Sequence, residues 1–135
     1  MSKKMRVLDS WGIVAFFEDE QPAAEKMENV FAETHEAGTS LLMTTVNVGE
    51  VWYSLARTYS EKQADQALSQ LKYMGVEIIP VDWELAYQAA KFKMRGSIAY
   101  AECFAAALAK LKKAELVTGD QEFKQVEGEV KIDWL

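Results

Sequence analysis

Hydrophobic and polar positions along the chain follow two rhythms that alternate from end to end. Short apolar runs at residues 5–8, 41–45, 76–81 and 116–118 have the length of buried strands. Between them the apolar positions recur every three to four residues. Val48, Val51, Trp52, Leu55 and Tyr59 form one such stripe, and Ala64, Ala67, Leu68, Leu71 and Met74 form the next. Residues 11–17 are apolar on most sides and predict a short helix. Pro22 opens a longer helix over 22–37 that Gly38 closes, and Gly75 ends the helix over 61–74. Asp82 is placed to cap a helix reaching about Lys93, and Ser97 to cap one over 98–112. A brief helical turn is expected after Asp120, and an edge strand at 130–132. Strands alternating with helices predict an α/β fold: a central parallel sheet of four to five strands with helices on both faces, in one domain spanning 1–135.

Against that frame four carboxylates stand out. Asp9 ends the first strand, Glu50 lies one turn beyond the second, and Asp120 follows the fourth. In an open α/β sheet these are positions at the carboxyl edge, where ligands bind. Each has an ordinary alternative. Asp9 and Asp120 suit helix caps, and Asn47 with Glu50 has the spacing of a capping box. Glu102 is harder to explain, because it interrupts Ile98-Ala99-Tyr100-Ala101-Glu102-Cys103-Phe104-Ala105-Ala106-Ala107-Leu108-Ala109, a helix apolar nearly all round. A carboxylate there needs a salt bridge, an exposed stripe or a bound cation. Four converging carboxylates would repel one another without cations, and all-oxygen donors suit Mg2+ or Mn2+ rather than Zn2+.

Composition narrows the function further. The net charge of −6 and pI of about 4.9 argue against a protein that coats nucleic acid, and suit a basic protein partner. A single cysteine, Cys103, forms no internal disulfide, and its apolar surroundings disfavour a thiolate nucleophile. His35 is the only histidine and sits on a polar helix, so a histidine-based triad or metal site is not expected. No Gly-rich phosphate loop is present. An aspartyl nucleophile at Asp9 is disfavoured because Trp11 stands where a second Asp would be needed. The basic start, Met1 to Arg6, is followed by an apolar run that Asp9 breaks after two residues. Neither a secretory leader nor a membrane span is expected, and a cytoplasmic location follows by default.

Four segments, Val7-Leu8-Asp9-Ser10, Thr45-Val46-Asn47-Val48-Gly49-Glu50, Ala101 to Ala109 and Leu116-Val117-Thr118-Gly119-Asp120-Gln121-Glu122-Phe123, resemble the PIN-domain family. The nearest likeness is to VapC-type toxins of toxin–antitoxin pairs. The resemblance covers nearly the whole chain and implies a three-layer α/β/α fold. It also implies a ribonuclease using Mg2+ or Mn2+ held by Asp9, Glu50, Glu102 and Asp120. Ser10, Asn47 and Thr118 would orient water or phosphate, although capping explains Asn47 as well. Arg95, with Lys91 and Lys93, is placed to meet the RNA backbone, or simply to sit on a solvated helix end. A small antitoxin and a homodimer are the implied partners, with Phe16, Phe17, Trp52 and Tyr53 as docking or core residues. The family's usual Asp is Glu102 here, one methylene longer. A second expectation therefore stands beside the first: a catalytically weakened module whose acidic cleft mainly binds a protein partner.

Overall fold

The computed structural model describes residues 5–135; Met1 to Lys4, and with them most of the basic N-terminal run, lie outside the described residues. Five short strands, β1 (Arg6–Leu8), β2 (Leu41–Thr44), β3 (Val76–Ile79), β4 (Glu115–Thr118) and β5 (Ile132–Trp134), form one sheet in the order β3-β2-β1-β4-β5. All four pairings are parallel, with Val7 opposite both Leu42 and Leu116. The chain moves outward from β1 to β3, then returns to the other side of β1 to lay down β4. The strand order therefore reverses between β1 and β4, and a crevice opens there at their carboxyl ends.

Strand pleating divides the core between the two faces. Leu8, Leu41, Met43 and Val117 point to one side, where they pack with Ile13 and Met27, with Val51 and Leu55, and with Ala64 and Leu71. That layer comprises α1 (Ser10–Phe17), α2 (Ala23–Ala37), α3 (Thr45–Thr58) and α4 (Glu61–Tyr73). Val7, Leu42 and Leu116 point to the other side, covered by α5 (Trp83–Arg95) and α6 (Tyr100–Lys112). Every residue from Cys103 to Ala109 is buried, and the alanines among them let α6 lie close to the sheet and to α5. The expected three-layer arrangement is thus present, with five strands. Among the described residues, no helix is long and apolar enough to cross a membrane.

Several boundaries differ from expectation. Thr44, not Asn47, caps α3, because β2 ends one residue early and the Thr44 hydroxyl accepts the Asn47 N–H at 3.1 Å. Ser97 does not cap α6: Ala99 precedes its first turn without a side-chain cap, and the Ser97 N–H donates to Gln125 Oε1 at 3.0 Å. β3 stops at Ile79, before Pro80, which has no N–H to continue a ladder. β5 lies two residues later than expected, at Ile132–Trp134. Gly38 closes α2 as expected, with φ of 69°.

Candidate active site

The crevice is a cleft of about 430 Å³ lined by Asp9, Glu50, Glu102 and Asp120 together. Each arrives by a different local device. Asp9 follows β1 directly and caps α1, its Oδ1 accepting from the Gly12 N–H at 3.3 Å. Asp120 follows β4 and caps the 3-10 turn Gln121–Val126, accepting from the Glu122 N–H at 3.0 Å. Glu50 projects from the second turn of α3, and Glu102 from the first turn of α6. For Asp9 and Asp120, capping and membership of the cleft coexist: one oxygen anchors a helix start and the residue still lines the cleft.

Three neutral side chains fix the carboxylates. Thr118 is fully buried; its hydroxyl donates to Asp9 Oδ2 at 2.7 Å and accepts the Asp120 N–H at 3.0 Å, tying two acids to one strand end. Ser10 donates to Glu50 Oε1 at 3.0 Å. Asn47, also fully buried, donates to the same oxygen at 3.2 Å and to the Ala101 carbonyl at 3.1 Å, while its own Oδ1 accepts from Thr44 at 2.6 Å. Asn47 thereby joins α3 to the turn of α6 that carries Glu102.

Burial and mutual repulsion raise the proton affinity of the cluster. Asp9 is 1% exposed, and burial pushes its carboxyl up from 3.8 to about 7. The Thr118 and Gly12 donors pull the other way, and the charges of Asp120 and Glu50 add to the rise. Glu102 is pushed from 4.5 to about 9, first by burial and then by the neighbouring carboxyls of Asp120 and Glu122. Its Oε2 is buried and no donor among the described residues reaches it. No ion pair to Glu102 is found among the described residues, so the salt bridge that would explain a carboxylate in this helix is not what holds it. Its neighbours are acceptors that can share a proton or a cation with it.

Glu122 joins the cluster without having been expected. One oxygen each from Glu102, Asp120 and Glu122 lies within 4.8 Å of the others. The only signal was its place two residues after Asp120, on a turn that brings it back toward α6. The cleft is lined by Glu18 and Glu20 as well. Arg95 is not brought to it: the guanidinium pairs with Glu129 at 3.0 Å and lines a separate recess with Phe92 and Gln125. Phe16, Phe17 and Trp52 pack against the core, whereas Tyr53 stays 47% exposed and lines the cleft.

Fold and site together define a doubly wound α/β protein with an acidic crevice at its topological switch point. The chain belongs to the PIN domain family, whose model matches residues 6–129. No curated protein matches it in sequence. Solved structures match it in fold. VapBC2 from Rickettsia felis, bound to a DNA fragment from its promoter, aligns with a TM-score of 0.73 at 15% identity, over 97% of this chain and 98% of that one. VapC20 from Mycobacterium tuberculosis, a toxin that cleaves the sarcin–ricin loop, aligns with a TM-score of 0.73 at 13% identity, over 93% and 95%. VapBC-1 from nontypeable Haemophilus influenzae gives 0.71 at 16% identity, over 96% and 97%.

Proposed function

We propose that this PIN domain is a metal-dependent endoribonuclease of the VapC toxin type, hydrolysing RNA phosphodiester bonds in the acidic cleft. The observation that carries the reading is Glu102: a carboxyl with a buried oxygen that no donor among the described residues reaches, set among the other carboxyls Asp120 and Glu122. An all-carboxylate donor set with a raised proton affinity fits a hard divalent ion, Mg2+ or Mn2+. Asp9, Glu50, Glu102 and Asp120 would hold it, with Glu122 as an added donor beside Glu102. When bound, such an ion supplies Lewis-acid activation of water and neutralises charge on the phosphate. The chain's own contribution is positioning. Ser10 and Asn47 hold one oxygen of Glu50, and Thr118 holds one oxygen of Asp9, so these carboxylates are oriented before substrate arrives. Glu102 is longer than the Asp usual in the resembling toxins, and Glu122 offers a carboxylate at the point to which it reaches.

The expected products carry 5′-phosphate and 3′-hydroxyl ends. The partners that fit this reading are a small antitoxin, whose basic side chain would be attracted into the acidic cleft, and a second copy of the chain. The place of action is the cytoplasm, where RNA is met. The test is cleavage of RNA by the purified chain with Mn2+, with and without EDTA. Cleavage is expected only without chelator, and Asp9→Asn should abolish it. An Asp9→Asn chain that cuts as well as the parent would show that the cleft does not do the chemistry.

A further inference from the structure

Among the described residues the cleft is lined by six carboxylates, Asp9, Glu18, Glu20, Glu50, Glu102 and Asp120, and by no Lys, Arg or His. That creates a difficulty for the RNA-cutting reading on which the present inference rests. Nucleic-acid binding usually draws most of its affinity from cations set against phosphates. Here one or two metal ions would offset only part of the protein's own charge. Uncharged contacts can supply part of the remaining attraction, and a nucleobase offers one through its π face.

Two aromatic side chains line the cleft, Trp11 from α1 and Tyr53 from α3. They are not equivalent. The Tyr53 ring carries the Arg57 guanidinium 5.3 Å from its centroid, so one of its faces is occupied. Trp11 is 37% exposed and is held from behind by Gly119. A Cβ added at Gly119 would stand 2.9 Å from Trp11 Cε3 and closer still to Cζ3 and Cη2. The indole therefore rests against the backbone at Gly119, where a side chain would displace it. Its two anchors are the segments that place the acids: Trp11 lies two residues after Asp9, and Gly119 immediately precedes Asp120. A large ring that is backed by the main chain on one side and is 37% exposed loses little freedom on stacking.

We infer that Trp11 is a stacking platform for a nucleobase of single-stranded RNA in the cleft, setting the register of the chain against the carboxylates. It is a positioning residue: it holds the base, and the acids act on the phosphate.

The experiment is an abasic scan. A short fluorescein-labelled single-stranded RNA, intact or lacking one base at each position in turn, is titrated with the full chain in Mn2+. The Asp9→Asn background prevents cutting, and anisotropy reads binding. With Trp11 present, one abasic position should weaken binding by about 5- to 150-fold, the range of single base–aromatic stacks. Trp11→Ala should lose that much on intact RNA and should no longer distinguish that abasic position. Trp11→Phe should keep the distinction, whereas Trp11→Leu, apolar without a π face, should not. Tyr73→Ala removes an aromatic ring that is 94% exposed outside the cleft, and should bind as the parent does. Far-UV circular dichroism checks that each variant is folded.

Three results would overturn the inference. One is an abasic profile that is the same with and without Trp11, and another is no RNA binding by the Trp11-bearing chain. The third is an arginine-bearing peptide whose affinity depends on Trp11 while that of RNA does not. Cleavage by the unmutated chain is scored separately. Cutting without a Trp11-dependent position removes the platform alone, and a Trp11-dependent position without cutting removes the nuclease alone.

Discussion

Asp9→Asn should stabilise the metal-free protein while removing its activity. In the native chain the Asp9 carboxyl holds its proton up to about 7, against 3.8 for an unperturbed Asp. Between those values the folded state binds more protons than the unfolded state, so stability falls as pH rises. At about 1.4 kcal/mol for each of about three pH units, the loss attributable to Asp9 is about 4 kcal/mol by pH 8. Glu102 is displaced in the same direction, to about 9, and extends the decline into the alkaline range. Asparagine keeps the shape and removes the charge. Its Oδ1 can still cap the Gly12 N–H, but its amide then faces the Thr118 hydroxyl, which already accepts from the Asp120 N–H. The hydroxyl proton loses its acceptor, at a cost of about 1 kcal/mol. The net gain is therefore about 3 kcal/mol at pH 8 in EDTA, vanishes between about pH 4 and 5, where the titration loss no longer exceeds the hydroxyl cost, and turns into a deficit of about 1 kcal/mol below about pH 3, where Asp9 is protonated in both states. Urea unfolding in EDTA at half-unit steps from pH 4 to 9 measures it. Saturating Mn2+ should reverse the order, because only the carboxylate version gains from the ion. A parent protein whose stability rises from pH 4 to 7 would refute the reasoning, as would an Asp9→Asn chain no more stable than the parent at pH 8 in EDTA.

Glu122→Gln removes a proposed donor and should weaken Mn2+ binding at least about tenfold by isothermal titration, since even outer partners of a metal site act on that scale. Unchanged affinity would remove Glu122 from the centre. Thr118→Val replaces a buried hydroxyl that serves both Asp9 and Asp120, and should cost about 1–3 kcal/mol in urea unfolding by leaving the Asp120 N–H unpaired. A cost below about 0.5 kcal/mol, the level of ordinary surface changes, would mean that those two bonds hold nothing together. Cys103 is fully buried, and burial pushes its thiol up to about 11. Its reaction with a thiol reagent at pH 8 should be slow in the folded protein and fast in urea. Rapid labelling of the native chain would show that α6 opens readily.

Local chemistry carried the reading of the sequence a long way. Strand ends and turn residues placed Asp9 and Asp120 at the carboxyl edge, since a polar residue directly after a short apolar run has few other places to go. Where two local solutions competed, the sequence alone could not choose between them. The spacing of Asn47 and Glu50 suggested a cap at Asn47; the end of β2 at Thr44 gave Thr44 the cap and freed the Asn47 amide to reach Glu50 and Ala101. Arg95 looked available for RNA because its partner, Glu129, lies far along the chain and is brought near only by folding. Glu122 looked like one more surface acid. Trp11 reads as another apolar residue of α1, and nothing local reveals that Gly119 lies behind it.

The two alternating rhythms, the α/β class, the acids at strand ends and the anomaly of a glutamate in an alanine-rich helix are all legible from the order of residues. These depend on periodicity and burial, which are properties of neighbouring residues. The return of β4 to the far side of β1 emerges only on folding. That reversal puts Thr118 within hydrogen-bond distance of Asp9 and brings Glu102, Asp120 and Glu122 to one point. Desolvation and charge repulsion act through space, so proton affinities as high as those of Asp9 and Glu102 exist only once distant segments have closed around them.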